Sequence, residues 1–306
     1  MMKILLVGGA GHIGGRLASA LASGGIEVGV TTRSKSNITG QDKITNILTE
    51  DVLSTRWGDV CAGYSHIINL VSPREQDCNK DPVGVRRVVE DGSRMLGEVA
   101  RDMGARFIYL STSQVYGLVL SGVVSEDSTT KPGNTYAEVH LAAECVVKQL
   151  VGERATIVRL ANSVGLPTSQ NVDTWQLLVQ DIAREAVTRG TLTLRSAGLQ
   201  HRSFVAMSEV VDALIHVITS DDLHGVVNIS NPTSMSVRSM AERIRHIYGN
   251  ISGKIAELRA PQINETDQEI TFQLESRVLA ARGVPLGSIE ALDLEIFNII
   301  GHVMAY

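Results

Sequence analysis

The sequence predicts an α/β fold, a doubly wound parallel sheet with a smaller C-terminal α/β domain. Three observations predict it. Short, continuous apolar runs alternate with longer segments of helical period, the pattern of parallel strands joined by crossover helices. The first run leads straight into the glycine-rich turn Gly8-Gly9-Ala10-Gly11-His12-Ile13-Gly14. The rhythm then changes after Leu160, which divides the chain into residues 1–165 and residues 166–306, the latter sending some segments back to the sheet.

Lys3–Val7 reads as a buried strand and Gly14–Ser23 as a helix with Leu17, Ala20 and Leu21 on one face. Glu27–Thr31 and His66–Val71 are the next strands, and Val85–Arg101 is a long helix after Asp81-Pro82. Arg106–Leu110 is a strand, Tyr136–Leu150 a helix and Ala155–Leu160 a strand. These strands are apolar throughout, as expected where helices cover both faces of a sheet. Beyond them, Pro167–Asn171 is loop-like, Thr174–Thr188 helical and Leu192–Leu194 a short strand. Ser208–Ser220 is helical, Val226–Ile229 a strand and Ser236–Tyr248 a helix.

Bulk properties narrow the function. The 306 residues are 43% hydrophobic and 20% charged, with a net charge of −5, the balance of an ordinary globular enzyme or binding protein. There is no basic block for nucleic acid and no apolar stretch long enough to span a membrane. Cys61, Cys78 and Cys145 are odd in number and widely spaced. They suit neither a disulfide framework nor a metal site, and fit a reducing cytoplasm.

The glycine turn carries the first chemistry. In a strand–turn–helix of this kind one glycine makes the tight turn, one lets the backbone approach a pyrophosphate, and one allows close packing of helix on strand. The helix N-terminus then offers free N–H groups to the phosphates. Gly8, Gly11, His12, Ile13 and Gly14 are therefore expected to hold a dinucleotide in a Rossmann arrangement. A ribose-binding carboxylate is expected at the end of the second strand, yet the residues there are Thr32 and Arg33. An arginine pairs with a 2′-phosphate that a carboxylate would repel, which favours NADP over NAD.

With these residues the chain resembles the extended short-chain dehydrogenase/reductase family, the NAD(P)-dependent nucleotide-sugar epimerases, dehydratases and ketoreductases. Further stretches carry the likeness. Ile67-Ile68-Asn69-Leu70-Val71-Ser72 is similar to the family's fourth strand, which implies that Leu70 and Val71 border the cofactor. Asp51-Val52 is similar to the pair beside the adenine. Phe107-Ile108-Tyr109-Leu110-Ser111-Thr112 is similar to the strand that ends in the catalytic hydroxyl, which the resemblance places at Thr112, with Ser111 a second candidate also near the cofactor. Tyr136, opening a helix, matches the family's general acid/base.

One residue departs from the family. Four positions after Tyr136 the family has a lysine, whose charge favours phenolate and which binds the nicotinamide ribose; here it is His140. A histidine carries partial charge near neutrality, so it would orient the ribose and activate Tyr136 more weakly, best at mildly acid pH. In the second half the resemblance implies that Leu160 and Ala161 border the nicotinamide and that Asn162 contacts the diphosphate of a nucleotide sugar. It also implies that Arg202 clamps that diphosphate, with Ser203 standing where the family has an aspartate. Val227-Asn228-Ile229-Ser230 is similar to the next family strand, and Arg277 matches a late basic position. The dehydratase branch carries Asp-Glu directly after the catalytic threonine, whereas Ser113 and Gln114 occupy those positions here, which disfavours elimination of water.

The expected activity is thus an NADP-dependent 4-ketoreductase acting on a nucleotide sugar, with a nucleotide-sugar 4-epimerase as the alternative. The missing lysine leaves a rival from another class, a cofactor-binding sensor or partner-binding protein without turnover. The family further implies a homodimer formed through the Val85–Arg101 and Tyr136–Leu150 helices. The loops at Pro73–Asp81 and Pro167–Asp173 are expected to set the choice of sugar.

Overall fold

The computed structural model describes residues 2–33, 43–49, 51–53, 55–264 and 267–305. Seven parallel strands form the central sheet: β1 (Lys3–Val7), β2 (Glu27–Thr32), β3 (Ile44–Leu48), β4 (His66–Asn69), β5 (Arg106–Thr112), β6 (Ala155–Leu160) and β7 (Gly225–Ile229). Their spatial order is β7-β6-β5-β4-β1-β2-β3. The order reverses between β1 and β4, and ligands of doubly wound sheets lie in the crevice at such a reversal, beyond the carboxyl ends of the strands.

Strand alternation sorts the apolar side chains onto two faces. Ile4, Leu6, Val28, Val30, Ile108, Val158 and Val227 meet helix α1 (Gly14–Ser23) and a later helix, Met207–Thr219. Leu5, Val7, Ile67, Phe107, Tyr109 and Ile157 meet helix α2 (Gly92–Met103) and helix α3 (Thr135–Val151). A third apolar cluster, from Val164 to Ile300, packs the helices Leu178–Arg189, Val237–Ser252 and Ile289–Met304 against one another. The C-terminal half therefore has its own core, while Met207–Thr219 and β7 return to the sheet.

Several elements differ from expectation. The Val85–Arg101 helix is interrupted: Pro82–Arg86 is α-helical, Arg87–Asp91 is a π-turn, and α2 resumes at Gly92. Just past the interruption Gly92 lies against Val52, where a Cβ would sit 3.1 Å from the valine methyl. Strand β3 and the helices Trp57–Cys61 and Ile289–Met304 lie outside the elements expected from sequence. The helix expected at Thr174 begins at Leu178. Among the described residues no helix is long and apolar enough to cross a membrane.

A buried arginine locks the late segments onto the sheet. Arg106 opens β5 and is 8% exposed. Its guanidinium donates to the carbonyls of Val217 (2.9 Å), Ser220 (2.6 Å) and Leu223 (2.6 Å), at and beyond the end of Met207–Thr219. A helix C-terminus exposes such carbonyls unpaired, and a cation suits them. We expect Arg106→Met to lower unfolding free energy by about 3 kcal/mol, because several buried carbonyls lose their donor. Urea unfolding measures this, and a loss below about 1 kcal/mol would show that water replaces the guanidinium without cost.

Candidate active site

The turn after β1 builds a cradle at the sheet's reversal point. Gly8 has φ +74°, a left-handed conformation that side-chain-bearing residues rarely adopt. Its N–H donates to Thr31 Oγ1 at 2.9 Å, which ties the turn to β2. Gly14 serves packing: a Cβ there would lie 2.5 Å from the Gly9 carbonyl oxygen. Gly9, outside the expected set, is as constrained, with Leu6 Cβ 2.6 Å from where its own Cβ would be. Ile13 caps α1 without a side-chain bond, and the first helical turn holds no acidic residue. An uncapped N-terminus beside a glycine cradle fits a pyrophosphate by its N–H donors and its dipole.

Of the other expected cofactor residues, two touch this cradle. Leu70 and Val71 abut Gly8 from the end of β4. Thr32 is buried at the end of β2, and Arg33 beside it is exposed, while the segment that follows falls outside the described residues. Asp51 Oδ1 accepts from the Leu53 N–H, and Val52 packs on Gly92. Leu160 ends β6 with 8% exposure. His12 is turned elsewhere: its Nε2 donates to the Gly165 carbonyl at 2.7 Å. Arg16, one turn into α1, makes a bidentate ion pair with Glu295 of the C-terminal helix at 2.8 and 2.7 Å. Glu295 also accepts from the Ser208 N–H.

Beyond the carboxyl end of β5 lies a cluster of hydroxyls and rings. Asn134 caps α3, its Oδ1 accepting from Ala137 N at 2.8 Å, and its amide donates to Gln114 Oε1 at 3.0 Å. That pair joins the start of α3 to the turn after Thr112 and sets Tyr136 beside it. Four residues is slightly more than one helical turn, so His140 lies beneath Tyr136, the rings edge to face with centroids 4.7 Å apart. The Tyr136 hydroxyl is 3.2 Å from Ser72 Oγ, and the Thr112 hydroxyl is near enough to favour its phenolate. Burial pushes its phenol above the ordinary value, against the pull of those two hydroxyls toward phenolate.

His140 does not carry the charge expected from sequence. It is 1% exposed, and burial lowers its pKa to about 4. A low-dielectric surround disfavours the imidazolium, so the ring is neutral at physiological pH and its activating effect does not grow under mildly acid conditions. Its two nitrogens are occupied, Nε2 with Ser72 Oγ at 3.1 Å and Nδ1 with the Tyr109 hydroxyl at 2.7 Å. Ser72 and Tyr109 belong to this cluster although sequence reasoning did not single them out. Tyr109 carried a signal: a phenol inside an otherwise apolar central strand needs a buried polar partner.

Ser111 lies on the same strand face as Tyr109 and also meets α3. Its hydroxyl donates to Glu144 Oε1 at 2.6 Å, and Arg159 of β6 pairs with the same carboxylate at 2.7 Å. Ser111 is thus absorbed in a buried ion-pair network, while Thr112 faces Tyr136. On the far side, Asn162 donates to the Ser203 carbonyl at 3.0 Å, which sets it next to exposed Arg202. The Ser203 hydroxyl points inward to the Asn231 carbonyl at 2.8 Å. Arg277 is engaged by Glu275. Arg74 and Asp173 join the two loops expected to choose the sugar, 3.4 Å apart.

The NAD dependent epimerase/dehydratase family matches residues 4–230. The chain belongs to that family. UDP-glucuronic acid decarboxylase 5 of Arabidopsis thaliana is 28% identical over 309 residues, covering 93% of this chain and 88% of the relative. Among solved structures, an NAD dependent NDP-hexosamine 5,6-dehydratase of tunicamycin biosynthesis superposes with a TM-score of 0.79 at 25% identity, covering 100% of this chain and 99% of that one. The UDP-glucose 4-epimerase of Thermotoga maritima, solved with UDP-glucose, superposes with a TM-score of 0.82 at 19% identity over 100% of both chains. The Rossmann-type parallel sheet is the fold they share.

The buried imidazole has a consequence for acid stability. The unfolded chain binds a proton at His140 near pH 6.5, the folded chain only near pH 4, so between those values stability falls as pH falls. The loss reaches on the order of 3 kcal/mol at the bottom of that window. His12 and His66 are also depressed by burial and add their own slopes, so the comparison is with His140→Gln. We expect the stability gap between wild type and variant to shrink from pH 7 to pH 4.5 in urea unfolding; parallel losses would refute a buried neutral His140.

Proposed function

We propose that this chain is an NAD(P)-dependent nucleotide-sugar oxidoreductase working in the direction of ketone reduction, most simply a 4-ketoreductase. The observation that carries this reading is the surroundings of Tyr136, which meets the Ser72 hydroxyl and the edge of the buried His140 ring. The family's activating lysine is replaced by a buried, neutral imidazole, and burial raises the Tyr136 phenol further. A phenol that keeps its proton is a competent general acid, which reduction of a carbonyl needs, whereas oxidation of an alcohol needs a base.

The roles follow from position. A bound nicotinamide would supply the hydride to the carbonyl carbon. Tyr136 gives its proton to the carbonyl oxygen as the C=O electron pair moves onto it, and is reprotonated from solvent through the open side of the cleft. Thr112 holds that oxygen in place, and His140 orients the neighbouring Ser72. Asn162 and Arg202 anchor the diphosphate, so that binding energy remote from the reacting carbon positions it. Ser113 and Gln114 offer no acid–base pair, and Gln114 is tied to Asn134, which argues against a standard 4,6-elimination.

A second reading, a nucleotide-sugar 4-epimerase, is favoured by the likeness to the Thermotoga maritima enzyme and by the family's description as NAD dependent. It requires Tyr136 to act first as a base, and a tightly held cofactor that returns its own hydride. Arg33, exposed beside Thr32 with no carboxylate at the strand end, supports NADP in the reductase reading.

Two experiments test this. NADPH oxidation is followed with a panel of 4-keto nucleotide sugars, and Tyr136→Phe is expected to lower kcat by about 10²- to 10⁴-fold. Epimer formation without net NADPH consumption would replace the reductase with the epimerase, and tight NADPH binding with no turnover of any sugar would leave a sensor. Separately, Arg33→Ala is expected to weaken NADPH binding about tenfold, near 1.4 kcal/mol, and to leave NADH unchanged. Equal affinities of the wild type for both would remove the preference for NADP.

A further inference from the structure

We propose that Tyr109 is a positioning residue: it fixes His140 in a single tautomer, so that Ser72 is held as a hydrogen-bond donor to Tyr136 when that residue gives up its proton. The inference rests on Tyr136 acting as the proton donor, as argued above, and extends the site inward to a residue that touches no ligand.

The argument is one of donors and acceptors. Tyr109 is fully buried in β5, and burial keeps its phenol protonated well above the ordinary value. A buried hydroxyl hydrogen without an acceptor is costly. Among the described residues its partner is His140 Nδ1, at 2.7 Å. The phenol therefore donates and Nδ1 accepts. The imidazole is neutral and holds one ring hydrogen, which must then sit on Nε2. Nε2 faces Ser72 Oγ at 3.1 Å and donates to it.

That assignment leaves the Ser72 hydrogen free to point outward. Two acceptors lie within reach, the Pro73 carbonyl at 3.3 Å and the Tyr136 oxygen at 3.2 Å. While Tyr136 is neutral the two compete on similar terms. As its proton passes to the substrate oxygen, the phenol oxygen gains negative charge, and a charge-assisted bond is roughly twice as strong as a neutral one. Ser72 then turns to Tyr136, with the Nε2 hydrogen behind it. The stabilisation grows as the phenolate forms, so it acts on the transition state more than on the bound substrate. The opposite tautomer would make Nε2 an acceptor of the Ser72 hydrogen and leave the phenolate without that donor. It would also leave the Tyr109 hydrogen buried and unpaired.

The chain of bonds ends at Tyr109, which can release no proton without becoming a buried phenolate. It therefore orients and does not conduct, and the phenolate is reprotonated from the cleft.

The test uses Tyr109→Phe, which keeps the packed ring and removes only the hydroxyl. ¹⁵N NMR of the histidine side chains reads the tautomer in the resting protein, with no need for turnover. We expect wild-type His140 to carry its hydrogen on Nε2 alone, and the variant to show a mixture of tautomers. With substrate, kcat should fall about tenfold while KM stays unchanged. A wild-type spectrum with the hydrogen on Nδ1 overturns the proposal by itself, even should the variant fail to fold. A folded variant that keeps the Nε2 tautomer and full kcat overturns it as well. If the tautomer shifts as expected but no ketone is reduced by either protein, the Tyr109 role stands and the reductase reading falls.

Discussion

The seating of α3 on the sheet is the constraint from which the site follows. Two polar contacts set it, both on one face of β5: Tyr109 with His140, and Ser111 with Glu144 and Arg159. Apolar packing alone would let a helix slide along a flat sheet at little cost. Buried polar groups do not slide, because each displaced donor or acceptor loses a partner that water cannot replace. Whether the Glu144–Arg159 pair adds net stability is secondary, since desolvation offsets much of its attraction. Its geometric effect is to hold one register of helix on strand. That register sets where Tyr136 stands relative to Thr112.

Much of the fold was legible because parallel strands buried on both faces are apolar throughout. β1, α1 and β6 have the bounds that their patterns imply. β3 was not legible, since Ile44-Thr45-Asn46-Ile47-Leu48 is half polar, as befits an edge strand paired on one side. The break before α2 was hidden for another reason. A π-turn keeps helical periodicity nearly intact, and the contact that goes with it here, Gly92 against Val52, joins segments forty residues apart in sequence.

The site was legible in its outward-facing residues and not in those behind them. Thr112, Tyr136 and His140 stand together as the resemblance implied they would, in a Rossmann crevice of the expected kind. The charge state of His140 was not readable, because ionisation depends on burial and a single sequence shows only spacing. In the sequence Ser72 is merely the tail of a strand. Its importance comes from β4 ending opposite α3 rather than from its neighbours in the chain. Likewise Ser111 and Thr112 differ by one position and hence by face: one is spent on Glu144, the other is turned to the cleft.

The tie between Arg16 and Glu295, together with that between His12 and the Gly165 carbonyl, bears on how such a protein can change over time. Both run from the glycine turn and its helix to segments of the C-terminal half. Enzymes with two modules often acquire new substrates by exchanging one module for another. Here a donor segment would also have to bring a carboxylate and a carbonyl to the same two points.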